Sequence, residues 1–346
     1  MKILVSGSNG QDGAFLCNLL VKNGHEVFAT VRRGSTKRTP RLQYFGLLDK
    51  ITLVNVELTE FANVSSVIKK IKPDMVFNLA AQSFVADSFD HPHLTNDINY
   101  YGLLNILEAL RLHDIDSAVY QASTSEMFGA VVETPQRETT RFNPMSPYAV
   151  SKAASHYLIQ NYRKAYGMRA FSGILFNHES ELRGREFVTR KITSQLAELK
   201  FNNAPAVELG NLSATRDWGY AGDYVEAMFK INSQNLDGED FVVATNTSKS
   251  IREFLTIAAE GYGFNPKFNG EGMEEQCVCA KTGKLLAKIN PKFFRPSEVE
   301  TLQGDYSKIE NKLGWVPTTT FELLVEKMIK FDSDVAQTKN NYFGAI

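Results

Sequence analysis

Tyr148 and Lys152 stand four residues apart, directly behind Ser146-Pro147. On a helix that spacing puts a phenol and an ammonium on one face, a turn apart. A phenol ordinarily titrates near about 10, and a neighbouring positive charge favours its phenolate. Tyr148 would then accept the proton of a hydroxyl whose carbon gives up hydride. The pair alone is common in helices and carries little weight. Upstream, Ser123-Thr124-Ser125-Glu126 adds two further groups. Thr124 can donate to the oxygen that Tyr148 deprotonates, and Glu126 brings a carboxylate for which a simple hydride transfer has no use. It suggests a second proton transfer, from the carbon beside a newly formed ketone, followed by loss of water.

Hydride chemistry calls for a nicotinamide cofactor, and the N-terminus carries a place for one. Gly7-x-x-Gly10-x-x-Gly13 follows an apolar run and opens an amphipathic one. That is where a pyrophosphate meets backbone N–H groups at Gln11 and Asp12 and the positive end of a helix dipole. An NAD site usually has an acidic residue at the end of the second strand. Here Val31 is followed by Arg32, Arg33, Gly34 and Ser35, so guanidinium and hydroxyl groups would meet a ribose 2'-phosphate. The cofactor expected is NADP.

These groups need a frame. Short apolar runs at Ile3 to Ser6, Glu26 to Val31, Ile51 to Asn55, Met75 to Asn78, Ser117 to Ala122 and Arg169 to Leu175 alternate with helical periodicity. The helical stretches run over Asp12 to Asn23, Val64 to Ile71, Tyr101 to Leu112 and Tyr148 to Tyr166. The order predicts an α/β, Rossmann-type doubly wound parallel sheet with a smaller C-terminal α+β substrate lobe. Residues 1–176 read as the dinucleotide-binding domain, to which the chain returns around 217–246. Residues 177–331 read mainly as the substrate lobe and 332–346 as a tail. Helices are expected near Phe187 to Leu199, from Tyr224, from Ile251 and over Phe321 to Phe331, with a Trp-containing turn near Asp217.

Composition excludes several other classes. The 346 residues are 43% hydrophobic and 22% charged, and 38 Lys and Arg nearly cancel 39 Asp and Glu. No basic field advertises nucleic acid. No apolar run reaches the roughly 20 residues that span a bilayer, and Ser6 and Gly7 cut the N-terminal run short of a signal peptide. Three cysteines make no disulfide framework, and Cys277-x-Cys279 lacks a second ligand pair for a metal. A reducing cytoplasm is the expected compartment.

Taken together, the motifs resemble those of the GDP-mannose 4,6-dehydratases, in the extended short-chain dehydrogenase/reductase superfamily, over nearly the whole chain. The stretches that carry the resemblance are Gly10-Gln11-Asp12-Gly13, Asn78-Leu79-Ala80-Ala81-Gln82-Ser83, Ser123-Thr124-Ser125-Glu126 and Ser146-Pro147-Tyr148-Ala149-Val150-Ser151-Lys152. Narrower ones are Asn177-His178-Glu179-Ser180, Thr189-Arg190-Lys191-Ile192, Arg216-Asp217-Trp218-Gly219 and Arg295-Pro296-Ser297-Glu298. The resemblance implies oxidation of a GDP-sugar at C4, water loss across C5 and C6, and return of hydride to C6. It places Leu58, Leu79, Ala80, His178 and Arg183 at the cofactor. It also places Ser83, Asn177, Val188, Lys191, Arg216, Arg295 and Glu298 at the GDP-sugar. Read on their own chemistry, His178 is a hydrogen-bonded structural residue and Trp218 a core residue.

Some positions depart from the family pattern: Glu57 for an Asp, Phe84 and Tyr220 for histidines, Phe128 for a tyrosine, and Glu181-Leu182 for a Pro-Arg pair. None is a proton-transfer group. Phe84 and the Glu181 to Arg185 loop leave open a GDP-heptose as substrate. A nucleotide-sugar reductase or epimerase of the same fold, and a non-catalytic NADP-binding protein, are the rival readings. The long basic connection from Arg33 to Arg41 predicts a homo-oligomer, a tetramer built from dimers or a dimer, because the loop exceeds what a strand-to-helix link needs.

Overall fold

The computed structural model describes residues 1–32, 34, 39–234, 238–293 and 301–338. Branched and aromatic runs form β1 (Lys2–Ser6), β2 (Glu26–Val31), β3 (Thr52–Asn55), β4 (Met75–Asn78), β5 (Ala118–Thr124) and β6 (Ala170–Leu175). Beyond them come β7 (Asn177–Glu179), β8 (Val207–Leu209) and β9 (Thr215–Tyr220), and then β10 (Asp240–Val243) lies parallel to β6. The sheet order is β10-β6-β5-β4-β1-β2-β3. Every pairing in it is parallel. All of β5 and β6 is buried, as expected for parallel strands covered on both faces.

Alternate residues serve opposite layers. Ile3, Val5, Phe77 and Tyr120 pack on Leu16 and Leu20 of helix Gln11–Lys22 and on Tyr224 and Met228 of helix Ala221–Asn232. Leu4, Val76 and Val119 pack on Ile68, Leu107 and Ile159 on the other side. Each fully buried aliphatic side chain contributes roughly 1.5 to 3 kcal/mol over an exposed one. Strand order reverses between β4 and β1, so a crevice opens outside their carboxyl ends, where doubly wound sheets place ligands.

A second core joins Ile192 and Leu196 of helix Val188–Phe201, Phe254 and Ala258 of helix Ile251–Gly261, and Leu324 and Met328 of helix Phe321–Thr338. Two small sheets frame it. In one, β9 pairs with β7, β11 (Ser248–Ser250) and β15 (Thr301–Leu302); the other is ordered β12 (Pro266–Asn269), β13 (Gln276–Cys279), β14 (Leu285–Ile289), β8.

Three local expectations change. The stretch around Asp217 is a strand, β9, because its backbone pairs with neighbouring strands on both sides, while the Asp217 carboxylate accepts from Thr245 N–H at 2.8 Å, Thr245 Oγ1 at 2.6 Å and Gly304 N–H at 3.2 Å. The helix expected from Tyr224 begins at Ala221. The closing helix runs on to Thr338, so residues 332–338 are not tail, and Asp332 is buried against Arg190. Cys17, Cys277 and Cys279 are buried free thiols. Among the described residues no helix is long and apolar enough to cross a membrane.

Candidate active site

Gly7 closes β1 with φ +68° and lies so near β4 that an added Cβ would meet Ala80 N at 2.7 Å. Gly10 caps helix Gln11–Lys22 without a side-chain partner, and a Cβ on Gly13 would strike Gly7 O at 2.2 Å. The three glycines thus leave a groove of bare backbone ending on the orphan N–H groups of a helix, the shape and polarity a pyrophosphate needs. Leu58, Leu79, Ala80 and the exposed Arg32 line the same side. Arg33 and Ser35 fall outside the described residues.

Gln11 and Asp12 turn toward β7. Gln11 Nε2 donates to His178 O at 3.1 Å, and Ser180 Oγ donates to Gln11 Oε1 at 2.7 Å. His178 Nε2 meets Asp12 Oδ2 at 2.9 Å while its Nδ1 meets Phe176 O at 2.7 Å. Two acceptors around one ring favour imidazolium. Burial opposes the charge on both partners, yet their mutual attraction and hydrogen bond lower the Asp12 pKa and raise that of His178.

Helix Pro147–Tyr166 starts where Ser146 Oγ accepts Ala149 N–H at 3.1 Å, with Pro147 in the first turn. It carries Tyr148 and Lys152 into the crevice, both buried, with Lys152 Nζ 6.0 Å from the Tyr148 ring centre. Lys152 Nζ donates to Ala122 O at 2.8 Å. Burial pushes the phenol up to about 12, opposed by its hydrogen bond with Thr124 and reinforced by the Glu126 carboxylate. Burial also holds Lys152 down at about 8, against the pull of Asp12. Thr124 ends β5, and its Oγ1 accepts Glu126 N–H at 3.2 Å. That bond starts the single turn Ser125–Met127. Thr124, Glu126, Tyr148 and Lys152 therefore share one cleft.

The cleft, about 1180 Å³, continues between the lobes, where Ser83, Asn177, Val188, Lys191 and Arg216 line it. Lys191 Nζ sits 3.2 Å from the Phe293 ring centre, and its pKa falls to about 8, through burial more than the opposing Glu208 charge. Arg216 Nη1 donates to Thr215 O at 2.8 Å. Arg183 pairs with Glu179 at 3.1 Å and covers the Phe187 ring at 3.6 Å. Arg295 and Glu298 lie outside the described residues.

His178 is both the hydrogen-bonded residue its chemistry suggests and a wall of the cleft. Trp218 likewise packs in the second core, stacked on Phe321 at 5.8 Å, with its edge reaching the cleft. Sequence reading passed over Gln195 and Phe293, which line the cleft through tertiary folding and sit in no chemical motif, whereas Gly210 belongs to the stretch Leu209-Gly210-Asn211-Leu212 that shares in the family resemblance. Of the departures, Phe84 and Glu57 line the cleft and Phe128 is core, packed on Phe142 and Phe176. Tyr220 and Glu181 meet each other at 3.5 Å.

Fold and site together define a Rossmann-type enzyme of the extended short-chain dehydrogenase/reductase kind. A family model described as GDP-mannose 4,6 dehydratase matches residues 4–328. The chain is 42% identical to GDP-mannose 4,6-dehydratase of Vibrio cholerae, over 97% of this chain and 95% of that one. It is 40% identical to GDP-mannose 4,6 dehydratase of Homo sapiens (98% and 93%) and 44% identical to GDP-mannose 4,6 dehydratase 1 of Arabidopsis thaliana (96% and 90%). The chain belongs to the GDP-mannose 4,6-dehydratase family. Among solved structures it resembles UDP-glucose 4-epimerase of Thermus thermophilus in complex with NAD. That match has 25% identity and TM-score 0.79, covering 96% of this chain and 99% of that one. It shares the fold of dTDP-glucose 4,6-dehydratase from Bacillus anthracis, at 18% identity, TM-score 0.79 and 98% and 97% coverage.

Proposed function

We infer that this chain is an NADP-dependent hydro-lyase that converts GDP-mannose to its 4-keto-6-deoxy product. The observation that carries the reading is the Glu126 carboxylate in the same cleft as Thr124, Tyr148 and Lys152. The similarity to relatives named for GDP-mannose does not favour the GDP-heptose, reductase or epimerase alternatives.

The glycine groove fits a dinucleotide, held by Gly7, Gly10, Gln11, Asp12 and Gly13 with Leu58, Leu79, Ala80, His178 and Arg183 around it. The Thermus epimerase, solved with NAD, supports the dinucleotide class. Arg32, where an acid would greet a bare ribose hydroxyl, supports NADP, with Arg33 and Ser35 beside it in sequence. When bound, the nicotinamide supplies the hydride acceptor and donor and, oxidised, a positive charge near the phenol. Tyr148 takes the proton of the C4 hydroxyl, with Lys152 stabilising its anion and Thr124 donating to the same oxygen. Ketone formation acidifies C5–H, and Glu126 removes that proton and hands one to the departing C6 hydroxyl. Lys191 and Arg216, with Arg295, counter the diphosphate charge; Ser83, Asn177, Val188 and Glu298 complete the sugar-nucleotide contacts.

In this reading residues 1–176, with the return around 217–246, hold the cofactor and 177–331 hold the substrate. The buried thiols suit a reducing cytoplasm. Self-association as a homo-oligomer through the basic connection completes the picture. Arg41 at its end donates to Leu182 O at 2.7 Å and Asn9 O at 3.2 Å of its own chain, so light scattering decides the point.

The Glu126→Gln variant tests the assignment. It keeps shape and hydrogen bonding but loses the base, so water loss falls about 100-fold or more, while reduced cofactor and a 4-keto sugar accumulate. Dehydrated product at the ordinary rate would move the role to another group.

A further inference from the structure

Behind the catalytic wall a string of buried side chains crosses the ends of three strands. Ser6 Oγ, at the end of β1, accepts the N–H groups of Leu79 and Ala80, each at 3.1 Å. It donates its own proton to Asn78 Oδ1 at 2.6 Å. Asn78 Nδ2 donates to Gln121 Oε1 at 2.7 Å, and Gln121 Nε2 donates to Ala122 O at 3.0 Å. That carbonyl also receives Lys152 Nζ at 2.8 Å. Ser6, Asn78, Gln121 and Lys152 are each no more than 2% exposed.

The direction of each bond follows from the first. With two N–H groups already on its oxygen, Ser6 must give its proton to an acceptor, which turns Asn78 Oδ1 toward it and Asn78 Nδ2 toward Gln121. Gln121 must then accept with Oε1, leaving its N–H groups for Ala122 O. The ammonium therefore shares the Ala122 carbonyl with an amide donor, and the far end of the string holds Leu79 and Ala80, which wall the groove beside Gly7.

We propose that Gln121, oriented by Asn78 and Ser6, is a positioning residue for Lys152: its amide fixes the Ala122 carbonyl and limits the negative potential that the ammonium meets there. The glycine groove and the lysine are then two ends of one hydrogen-bonded string. Of the titratable groups that face Lys152, Asp12 comes from helix Gln11–Lys22 and Tyr148 from its own helix. The strand β5 it packs on carries no charged side chain. Removing the Gln121 donor leaves the carbonyl wholly to the ammonium, so the protonated lysine gains and its pKa rises.

The significance for catalysis rests on the reading of Lys152 given above, but the test does not. In protein labelled with 13C-lysine, the Lys152 Cε signal, assigned by its loss in Lys152→Met, is titrated in the wild type and in Gln121→Met. The midpoint should rise by about half a pH unit. An unchanged midpoint overturns the proposal. Ser6→Ala, which frees Asn78 and Gln121 to flip, provides a second measure and should move the midpoint the same way; a purely structural string would lower the melting temperature and leave the midpoint where it was. If the midpoint moves but the pH profile of kcat/KM does not follow, the string stands and the catalytic role of Lys152 falls.

Discussion

At the scale of single residues, charge placement decides what the site prefers. Arg32 stands at the end of β2, exposed to the cleft. A charge-assisted hydrogen bond to phosphate contributes about 1.5 to 3 kcal/mol, so NADP should bind at least about tenfold more tightly than NAD. Arg32→Ala should narrow the gap, as calorimetry with both dinucleotides would reveal. Equal affinities in the wild type would remove the NADP reading. Asp12 and His178 carry a pH signature of a different kind. The His178 pKa is raised above 6.5, so its contribution is complete below that value and is lost as pH climbs through the folded pKa. The Asp12 pKa is lowered below 3.8, so its contribution holds above that value and is lost as pH falls through the folded one. Asp12→Asn should therefore lower the melting temperature most between about pH 4 and 6.5, by a margin that shrinks on the alkaline side. A difference that grows with alkalinity would contradict the pairing. The proximity of Tyr148 to Lys152 and of Thr124 to Glu126 was readable in sequence because each pair is close along the chain, the first a turn apart on one helix and the second across the end of β5. The partnership of His178 with Asp12 was not, since 166 residues separate them.

Elements hold these residues in place, and one of them depends on a fully buried ion pair. Arg190 lies on helix Val188–Phe201 and Asp332 on helix Phe321–Thr338, each side chain 1% exposed, with Nη2 and Oδ1 2.8 Å apart. Arg190 Nη1 also donates to the carbonyl oxygens of Glu181 and, at 2.9 Å, Arg183. The pair thereby sets the loop that carries Arg183, Arg185 and Phe187 into the cleft. Arg190→Met strands the Asp332 carboxylate and should cost about 3 to 5 kcal/mol, read in urea unfolding. Adding Asp332→Leu should recover most of the stability, because a buried pair can be replaced by apolar packing. The loop carbonyls would still lack their donor, so KM for the sugar nucleotide should stay raised. Full recovery of KM along with stability would show that the loop stands without Arg190. This dependence explains why 332–338 read as tail. Beyond Phe331 the apolar rhythm weakens, and the helix continues because Asp332 meets a partner 142 residues away in the chain. The central strands β4, β5 and β6 were legible for the opposite reason: buried on both faces, they read as largely apolar runs.

Across the whole molecule, the cleft joins the two cores: β1, β4 and β5 deliver the glycine groove and Thr124, the turn after β5 delivers Glu126, helix Pro147–Tyr166 delivers Tyr148 and Lys152, and helix Val188–Phe201 and β9 deliver Lys191 and Arg216. Neither half closes the site alone, and the family match spans both. Order along the chain foretold the doubly wound sheet, but not which residues of the second core would face the groove. Gln195 and Phe293 reach it by packing, without a motif to mark them. The central claim is that this cleft removes water from GDP-mannose in a cycle that leaves the cofactor as it found it. The direct measurement is incubation of the purified chain with NADP and GDP-mannose, followed by mass spectrometry of the nucleotide sugar and absorbance of the cofactor. The expected product is lighter by one water, with no net accumulation of reduced cofactor. GDP-mannose returned unchanged, an epimer of equal mass, or an oxidised sugar matched mole for mole by reduced cofactor would contradict the claim.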